Sequence, residues 1–524
     1  MNSLRPSVLL FNPRAAKSKP RLPNSILSIA ASVDGKYPWM IVDGNLEDDP
    51  WPKLQQYLKG GAVSYFGCTV MPGPQLKQAI PLTQKIRQEF PDVVIIWGGY
   101  FPSNQYEVVL DSGLVDVVVN GPGDYAFPKI IEAIEEGTIQ PENIGNIIYR
   151  KGNFPKKKIL SEANKDQQDH SKGSFIITKK DDLYDQDLLP PLPYQKLNSF
   201  YPIQKYLGKT YLGTKTIAYH SSIGCPFTCS FCAVVPIYQA RWKGKSAEHI
   251  YRDIKLLKEQ YGGNAIEFHD NNFFVSEKRT VDFSRLIQPE NMIWWGEGRI
   301  DTIDKYSDSS LEQMRKAGCK MIFFGAETGN DTVLKQMDKG GTQTGSQIRK
   351  FAARIKQFDI IPEYSFVLGF PAENEAKAWK QIREDISFIR EIKEINPQTE
   401  IIIYIYSPVP TPGSEMYNSV LASGFKFPQT LEEWISPHWE NFDLRKNPLT
   451  PWLTPEMIDH IRNFETVLNG YYPTVSDIRL SSFQSRAIKT FSSFRYKKEI
   501  YSYPFEIKAL QKIWKYRQPE VEGF

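Results

Sequence analysis

Short apolar runs alternate with amphipathic stretches over the first 150 residues of the chain. Apolar runs of strand length predict five strands, at residues 7–11, 39–43, 62–66, 93–97 and 115–119. Helical spacing of apolar residues predicts helices between and after them, at residues 75–90, 104–112 and 126–136. Strands separated by helices are typical of a parallel, doubly wound sheet. Residues 1–150 are therefore predicted to form a Rossmann-like domain.

The same alternation resumes at residue 214 and continues to residue 410. Six further runs predict strands, at residues 216–222, 265–269, 292–295, 321–325, 363–368 and 400–406. Six strand–helix units predict a partial parallel barrel, and the chemistry of such barrels lies at the carboxyl ends of their strands. The second predicted domain is therefore an α/β barrel with its reactive groups in the loops that follow the strands.

Two other regions lack this alternation. Residues 151–213 are polar and irregular, which predicts a linker or a strap over another domain. Residues 411–524 are predicted to be mainly helical, and their last part is rich in basic side chains. The basic residues are Arg486, Lys489, Arg495, Lys497, Lys498, Lys508, Lys512, Lys515 and Arg517. Such a run is typical of a solvated helical face, and it also suits an acidic partner, an acidic substrate or a membrane.

Three cysteines, Cys225, Cys229 and Cys232, form a C-x3-C-x2-C pattern in the loop after the first predicted barrel strand. A four-iron cluster needs four ligands, so three thiolates leave one iron open to a small molecule. Structural zinc is the alternative, but zinc sites usually combine two pairs of cysteine or histidine ligands. The sequence contains no second pair near these cysteines. The pattern therefore favours an iron–sulfur cluster.

Composition restricts the remaining possibilities. The chain has 524 residues, which suits two or three domains, and five cysteines, of which Cys68 and Cys319 lie far from the other three. This spacing predicts neither a disulfide framework nor an auxiliary cluster, and it favours a cytoplasmic location. No signal-peptide pattern and no apolar stretch of membrane-spanning length is expected. A net charge of +4 does not indicate binding to nucleic acid.

The cysteine pattern, with Phe231 directly before its last cysteine, resembles the radical S-adenosylmethionine (SAM) superfamily. The resemblance implies a catalytic [4Fe-4S] cluster on Cys225, Cys229 and Cys232, with SAM on the open iron. Cleavage of SAM would then give a 5′-deoxyadenosyl radical. Residues that end the predicted barrel strands would contact SAM. With Phe231, they are Asp270, Asn271, Arg299, Glu327 and Gly369.

A doubly wound domain ahead of this barrel resembles the cobalamin-binding radical SAM enzymes. These include class B methyltransferases and the anaerobic magnesium-protoporphyrin monomethyl ester cyclase group. The family's D-x-H-x-x-G motif is absent, since no histidine precedes His170, which leaves a vestigial domain as an alternative. The paired glycines are present, and Cys68-Thr69-Val70 replaces a serine-x-leucine element. The resemblance implies cobalamin contacts at Asn12, Arg14, Cys68, Thr69, Val70, Gly98, Gly99, Tyr100 and Gly121.

The resemblance implies methyl transfer from cobalamin to an unactivated carbon of a small molecule. An oxidative cyclase or oxygen-insertion enzyme is a second expectation, and a non-catalytic cobalamin or SAM sensor or scaffold is a third. An electron donor such as flavodoxin or ferredoxin is the expected partner. No nucleic acid and no transmembrane segment are expected.

Overall fold

A computed structural model describes most of the chain. The described residues are 7–15, 20–157, 174–337, 343–408, 411–412, 414–422, 424–440, 449–450, 452–474, 480–514 and 516. They form a mixed sheet, a parallel sheet and a group of C-terminal helices. Lys515 and Arg517 of the basic run lie outside the described residues.

The first sheet contains strands β1 (Ser7–Asn12), β2 (Trp39–Asp43), β3 (Val63–Thr69), β4 (Val94–Gly98), β5 (Val117–Val119), β6 (Ile147–Arg150) and β7 (Phe175–Ile177). Its helices are α1 (Asn24–Val33), α2 (Trp51–Lys59), α3 (Leu76–Glu89), α4 (Tyr100–Asn104), α5 (Tyr106–Asp111) and α6 (Ala126–Glu136). Over the described residues, the strand order is β2-β1-β3-β4-β5-β6-β7. Strands β1 to β5 are parallel, and β6 and β7 are antiparallel additions.

All five strands predicted in this region are present, and the predicted fold class is confirmed. Strands β6 and β7 were not predicted. Strand β7 has three residues and lies inside the polar segment assigned to the linker, so it carries too short an apolar run to produce a periodic signal. It is positioned by antiparallel pairing with β6. Part of the predicted linker thus completes the first sheet.

Strand β1 shows why these apolar runs form a sheet that is covered on both faces. Its six residues are all buried. Val8 and Leu10 belong to one hydrophobic core, whereas Leu9 and Phe11 belong to another on the opposite face. Successive strand residues point to opposite faces, so a strand between two layers of helices must be apolar at nearly every position.

Helix α7 (Tyr194–Phe200) and strand β8 (Thr216–Tyr219) are followed by a separate hairpin of β9 (Ser222–Gly224) and β10 (Trp242–Gly244). The second sheet consists of β8 with strands β11 (Ala265–Phe268), β12 (Ile293–Gly298), β13 (Cys319–Glu327), β14 (Ile361–Leu368) and β15 (Glu400–Ile405). Its helices are α8 (Val234–Tyr238), α9 (Ala247–Tyr261), α10 (Glu277–Ile287), α11 (Ile300–Ile303), α12 (Asp308–Lys316), α13 (Asp331–Gln336), α14 (Gly345–Ile355) and α15 (Glu375–Ile395). In the described part of the chain, six strands pair in parallel in the order β15-β14-β13-β12-β11-β8. This is the predicted partial barrel. The hairpin of β9 and β10 was not predicted.

The C-terminal region is helical, as predicted. Its helices are α16 (Glu415–Ala422), α17 (Leu431–Trp434), α18 (Pro437–Glu440), α19 (Pro455–Tyr471), α20 (Ser482–Lys497) and α21 (Phe505–Trp514). Helix α17 returns to the first domain, where Trp434 packs edge-on against Phe101 at 5.2 Å between ring centroids. Among the described helices, none has the length and apolar character needed to cross a bilayer.

The carboxyl edges of the two sheets face each other. Asn24 at the start of α1 donates a hydrogen bond from Nδ2 to the carbonyl oxygen of Ala218 in β8, at 3.0 Å. The Tyr100 hydroxyl, just after β4, donates to Oδ1 of Asn271, just after β11, at 2.9 Å. The reactive edges predicted separately for the two domains therefore border one shared space.

Asp385 of α15 gives the fold a measurable dependence on pH. Its carboxylate is 2% exposed and accepts a hydrogen bond from Thr328 Oγ1 at 2.5 Å. Burial raises the pKa of Asp385 to about 7 and outweighs the hydrogen bonds from Thr328 and Gly329. The folded state therefore holds this proton more tightly than the unfolded state. The contribution of Asp385 to stability is greatest in acid and decreases as the pH rises through about 7.

We expect Asp385→Asn to remove this pH dependence while preserving the shape of the side chain. Between about pH 5.5 and about pH 8, the wild type should lose about 2 kcal/mol of unfolding free energy relative to the variant. Urea unfolding of both proteins at the two pH values measures this. Glu394→Gln, which neutralises an exposed carboxylate near the end of α15, is the control and should show little change. An equal difference between Asp385→Asn and wild type at both pH values would contradict the prediction.

Candidate functional site

The three cysteines lie in the loop between β9 and α8, beside the carboxyl ends of the barrel strands. None of the three forms a disulfide in the described part of the chain. Cys229 is buried, and Cys225 and Cys232 are partly exposed. Among the described residues, no three His, Cys, Asp or Glu side chains are arranged to hold a single metal ion. In a four-iron cluster each thiolate binds a different iron, so cluster ligation does not require such convergence. Three neighbouring cysteines outside any disulfide are a suitable donor set for the predicted cluster.

The backbone of this loop is held on both sides. Gly224 ends β9 with φ 72°, and a Cβ at this position would lie 2.2 Å from the carbonyl oxygen of Arg241. Only glycine therefore fits here without moving the hairpin. Further along, Ser230 donates from its backbone N–H to Met337 and from Oγ to Gln336, both at 3.0 Å. The loop is fixed to the hairpin at its start and to the end of α13 at its middle.

Arg299 packs against the cysteine loop. It is 6% exposed, and its guanidinium donates to both carboxylate oxygens of Asp301, at 2.9 Å and 2.7 Å. Its Nη1 also lies 3.2 Å from Cys229 Sγ, and the guanidinium carbon lies 3.8 Å from the centroid of the Phe227 ring. Arg299 was predicted to hold a carboxylate of SAM. The structure places it against Cys229, a predicted cluster ligand, with its planar fork occupied by Asp301.

Asp270 and Asn271, two other predicted SAM contacts, have different surroundings. Asp270 is 1% exposed, and its Oδ1 accepts hydrogen bonds from the Ser221 N–H at 3.0 Å and the Ser221 hydroxyl at 2.9 Å. The Ser222 hydroxyl donates to the same oxygen. Asp270 therefore holds the chain just before the cysteine loop. Asn271 is exposed and accepts the hydrogen bond from Tyr100 that joins the two domains.

Glu327, Gly369 and Phe231 lie on the β13–β14 side of the loop. Glu327 is buried at the end of β13 with φ 65°, next to a break in the register with β14. Strained residues and bulges of this kind are frequent at functional sites, where they redirect a side chain. Gly369 has φ 85°, and a Cβ there would lie 2.5 Å from Leu453. Phe231 packs on a small apolar cluster that contains Phe370 and Tyr406.

A cavity of about 710 Å³ separates the carboxyl edge of the first sheet from the mouth of the barrel. Residues on both sides of the cysteine loop line it, namely Ser222 and Ile223 before the cysteines and Ile237 and Tyr238 after them. Most of the predicted cobalamin contacts line the opposite wall. They are Asn12, Cys68, Thr69, Gly98, Gly99, Tyr100 and Gly121.

Arg14 and Val70 are the two predicted cobalamin contacts that do not line this cavity. The Arg14 guanidinium donates to the carbonyl oxygens of Gly44, at 2.9 Å, and Glu47, so it holds the loop after β2. Val70 is fully buried, and its carbonyl oxygen would lie 2.7 Å from a Cβ at Gly99. Val70 thus packs behind the glycine pair.

The first-domain wall suits a large, flat ligand because backbone forms much of it. A Cβ added at Gly98 would lie 3.7 Å from its nearest neighbour, so the position has room for a side chain. Gly121 has φ 134°, and a Cβ added there would lie 3.5 Å from the Asn146 side chain. Glycine at these positions brings the main chain to the cavity surface. The residues present therefore fit the cobalamin that the sequence resemblance implies. Since no histidine precedes His170, the described part of this domain offers no imidazole.

The barrel wall of the cavity carries an ionic cluster that sequence reasoning largely missed. His269 Nε2 lies 3.3 Å from Glu267 Oε2, and His269 Nδ1 lies 3.6 Å from Glu297 Oε1. Arg21, from the loop before α1, pairs with Glu267 across the domain boundary. Burial alone would raise the pKa of Glu267, but His269 and Arg21 lower it to about 2.

Two of the histidines that line the cavity, His220 and His269, have pKa values shifted in opposite directions. Burial favours neutral His269, but its hydrogen bonds to Glu267 and Glu297 outweigh this effect and raise its pKa. His220, whose ring centroid is 6.1 Å from that of His269, has its pKa lowered to about 4 by burial and by the charge of His269. Burial therefore keeps His220 neutral at neutral pH, whereas the carboxylates beside His269 favour its charged form. His269 could be suspected from its place at a strand end, but nothing in the sequence indicated that Arg21 would reach it.

Comparison with known proteins identifies the barrel. Residues 219–384 match the model of the Radical SAM superfamily. An uncharacterized methyltransferase of Pyrococcus horikoshii is 23% identical over 404 residues, which cover 76% of this chain and 79% of that protein. The anaerobic magnesium-protoporphyrin IX monomethyl ester cyclase of Synechocystis sp. is 23% identical over 336 residues, which cover 62% of this chain and 58% of that enzyme.

The fold as a whole also has a counterpart among solved structures. The cobalamin-dependent S-adenosylmethionine radical enzyme OxsB, with aqua-cobalamin and S-adenosylmethionine bound, matches with a TM-score of 0.67. The match covers 98% of this chain and 79% of that chain at 13% sequence identity. This likeness shows that the arrangement of both sheets and the helical region is shared.

We expect Gly224→Ala to impair the cysteine loop, because the new Cβ collides with the carbonyl oxygen of Arg241. Iron content after anaerobic reconstitution, measured per folded chain, should fall at least about twofold, since a contact this short forces a backbone shift. Gly35→Ala is a matched control with a similar φ of 77° and nothing within 4 Å of the added Cβ. Equal iron content in the two variants would show that the collision does not affect the loop.

Proposed function

Because this chain is a radical SAM protein with an N-terminal region like those that bind B12, we propose that it methylates an unactivated carbon of a small molecule, using both cofactors. One observation carries the proposal. The cavity that borders both sides of the cysteine loop has the glycine-lined edge of the first sheet as its opposite wall. Two cofactors and a substrate would therefore meet in one enclosed space.

Cys225, Cys229 and Cys232 would hold the [4Fe-4S] cluster. When bound, the cluster supplies one electron to SAM, whose cleavage gives the 5′-deoxyadenosyl radical that removes hydrogen from carbon. Arg299 places its guanidinium beside Cys229 and offsets part of the negative charge of the thiolates. Asp301 holds the orientation of that guanidinium through two hydrogen bonds.

The chain would position SAM from two sides of the cysteine loop. Asn271 is exposed at the barrel mouth, while Glu327 and Gly369 end neighbouring strands on the other side. Phe231 fills the apolar space between the loop and Phe370. Asp270 acts indirectly in this proposal, because it fixes Ser221 and Ser222 just before the loop. An external electron donor such as flavodoxin or ferredoxin, in the cytoplasm, is part of the proposal.

Gly98, Gly99 and Gly121 would lie against cobalamin, with Asn12, Thr69 and Tyr100 as polar neighbours. When bound, cobalamin supplies a transferable methyl group. The Asn24 and Tyr100 hydrogen bonds hold the two domains together around the cavity, which orients the reactants and limits the entry of water. The Pyrococcus methyltransferase and the likeness to OxsB support this reading.

The likeness to the Synechocystis cyclase supports a second candidate function, oxidative ring formation or oxygen insertion. The mass of the product separates the two reactions, because methylation adds a carbon and oxidation does not. A role limited to binding SAM or cobalamin is the third possibility, and it predicts no cleavage of SAM.

We expect anaerobically reconstituted protein to bind about four iron atoms per chain and to form 5′-deoxyadenosine with SAM and a strong reductant. Replacing Cys225, Cys229 or Cys232 with alanine should reduce 5′-deoxyadenosine formation at least about a hundredfold, since each thiolate holds one iron. Cys319→Ala, which removes a fully buried thiol of β13, is the control and should retain the activity. Zinc in place of iron, or no 5′-deoxyadenosine from the wild type, would refute the radical mechanism.

We expect Gly98→Val to weaken cobalamin binding at least about tenfold, because the added side chain would occupy the cavity without striking the wall behind it. Visible absorbance after titration with hydroxocobalamin measures the affinity, and 5′-deoxyadenosine formation should change little. Gly98→Ala should have an intermediate effect. Wild-type protein that binds no cobalamin would exclude the methyl-transfer mechanism while leaving SAM cleavage intact.

A further inference from the structure

The last two described helices and the loop between them expose an unusual number of large apolar side chains. Seven of the thirteen exposed large hydrophobic residues in the described part of the chain lie between residues 483 and 513. Six of them are 57% to 82% exposed and define the C-terminal patch, which consists of Phe483, Phe491, Phe494, Tyr503, Phe505 and Ile513. Exposed apolar residues concentrated in this way indicate an interaction surface.

Helix α20 is buried along one face and exposed along the opposite face. Ile488, Ser492 and Tyr496 are buried at intervals of four residues, and Tyr496 stacks on Tyr471 of α19 at 4.5 Å between ring centroids. Phe483 and Phe494 are separated by three helical turns, so both lie on the side opposite this buried stripe. Helix α20 thus packs on α19 with one face and presents phenylalanine on the other.

Helix α21 has the same division. Its buried residue is Ile507, while Phe505 and Ile513 are 73% and 71% exposed. The side chain of Lys508 reaches back to α19, where its Nζ donates to Asn463 Oδ1 at 2.7 Å. Lys512, one turn further along, is exposed beside Ile513.

The loop that joins the two helices is held in place, so its aromatic side chains are presented in a defined position. Arg495 pairs with Glu506, with Nη2 3.0 Å from Oε2. The same guanidinium donates to the carbonyl oxygens of Ser502, at 2.8 Å, and Tyr503, at 3.2 Å. Tyr503 is 82% exposed despite this fixed backbone.

Positive charge surrounds the exposed aromatic side chains. Six basic residues of these helices and the loop between them are exposed, namely Arg486, Lys489, Lys497, Lys498, Lys508 and Lys512. The two acidic residues of the segment are engaged by arginines, Glu499 with Arg390 at 3.4 Å and Glu506 with Arg495. Arg486 and Lys497 lie one turn from Phe483 and Phe494 on α20, so basic and aromatic side chains share its outer face.

We propose that the C-terminal patch docks on the surface of an anionic membrane. Helices that combine Lys and Arg with exposed Phe and aliphatic side chains lie at the boundary between lipid headgroups and acyl chains. Their basic side chains meet anionic headgroups while the apolar ones enter the boundary region. A second copy of the chain would bring the same positive charge to the contact and be repelled. The contact is peripheral and does not depend on the proposed function.

Sedimentation of the full-length protein with lipid vesicles tests this proposal. The fraction bound to vesicles of phosphatidylcholine with phosphatidylglycerol should exceed that bound to phosphatidylcholine alone by at least about tenfold, and added salt should reduce it. No binding to anionic vesicles, or equal binding to both compositions, would overturn the proposal.

Two variants separate the contributions of apolar and basic residues. Phe491→Ser with Phe494→Ser should reduce binding to anionic vesicles at least about tenfold, because it removes inserted apolar surface. Lys497→Gln with Lys498→Gln should reduce binding and weaken its salt dependence. Leu188→Ser, at a 76% exposed position in the segment before the barrel, is the control and should bind like the wild type.

Melting temperatures check that the variants fold, and light scattering without vesicles checks for self-association. The proposal is overturned if the phenylalanine variant, folded like the wild type, binds vesicles equally well. It is also overturned if the wild type forms a dimer without lipid that the phenylalanine substitutions abolish. In that case the patch is an interface between copies of the chain.

Discussion

The architecture depends on the way in which a mixed sheet and a parallel sheet face each other with the carboxyl edges of their parallel strands. Such edges end in loops and exposed backbone, so each can bind a ligand but neither encloses one alone. Here Asn24 and Tyr100 of the first domain contact the barrel directly, and Arg21 reaches Glu267 inside it. The enclosed cavity follows from this opposition, and the cysteine loop and the glycine-lined wall become parts of one site.

Within that site, much of the polar machinery supports other protein groups. Asp270 holds the entry to the cysteine loop, and Asp301 orients Arg299 toward Cys229. Buried charges are stable only when paired or well hydrogen-bonded, and these carboxylates meet that requirement through neighbouring serine and arginine. A rigid loop of this kind holds three thiolates in a defined arrangement, which a cluster with one open iron requires.

Two parts of the C-terminal region differ in the exposure of their aromatic side chains. Trp434 of α17 is buried against Phe101 and ties the C-terminal region to the first domain. By contrast, Phe483, Phe494 and Phe505 remain exposed beside basic side chains, although the opposite faces of their helices are packed. Exposure of large aromatic groups is unfavourable in water, and their concentration in one patch is consistent with a surface that contacts lipid.

The positions of most strands along the chain and the pattern of the three cysteines were readable from the sequence itself. Apolar runs predicted five strands of the first sheet and six of the barrel, and the spacing of Cys225, Cys229 and Cys232 predicted the ligand loop, because these are local patterns. Strands β6 and β7 were not predicted, because short strands depend on pairing with distant partners. The contacts that Arg14, Val70 and Arg299 make could be seen only in the tertiary structure. A residue's position at a strand end is encoded locally, but the direction of its side chain depends on partners, such as Gly44 or Asp301, that folding brings within reach.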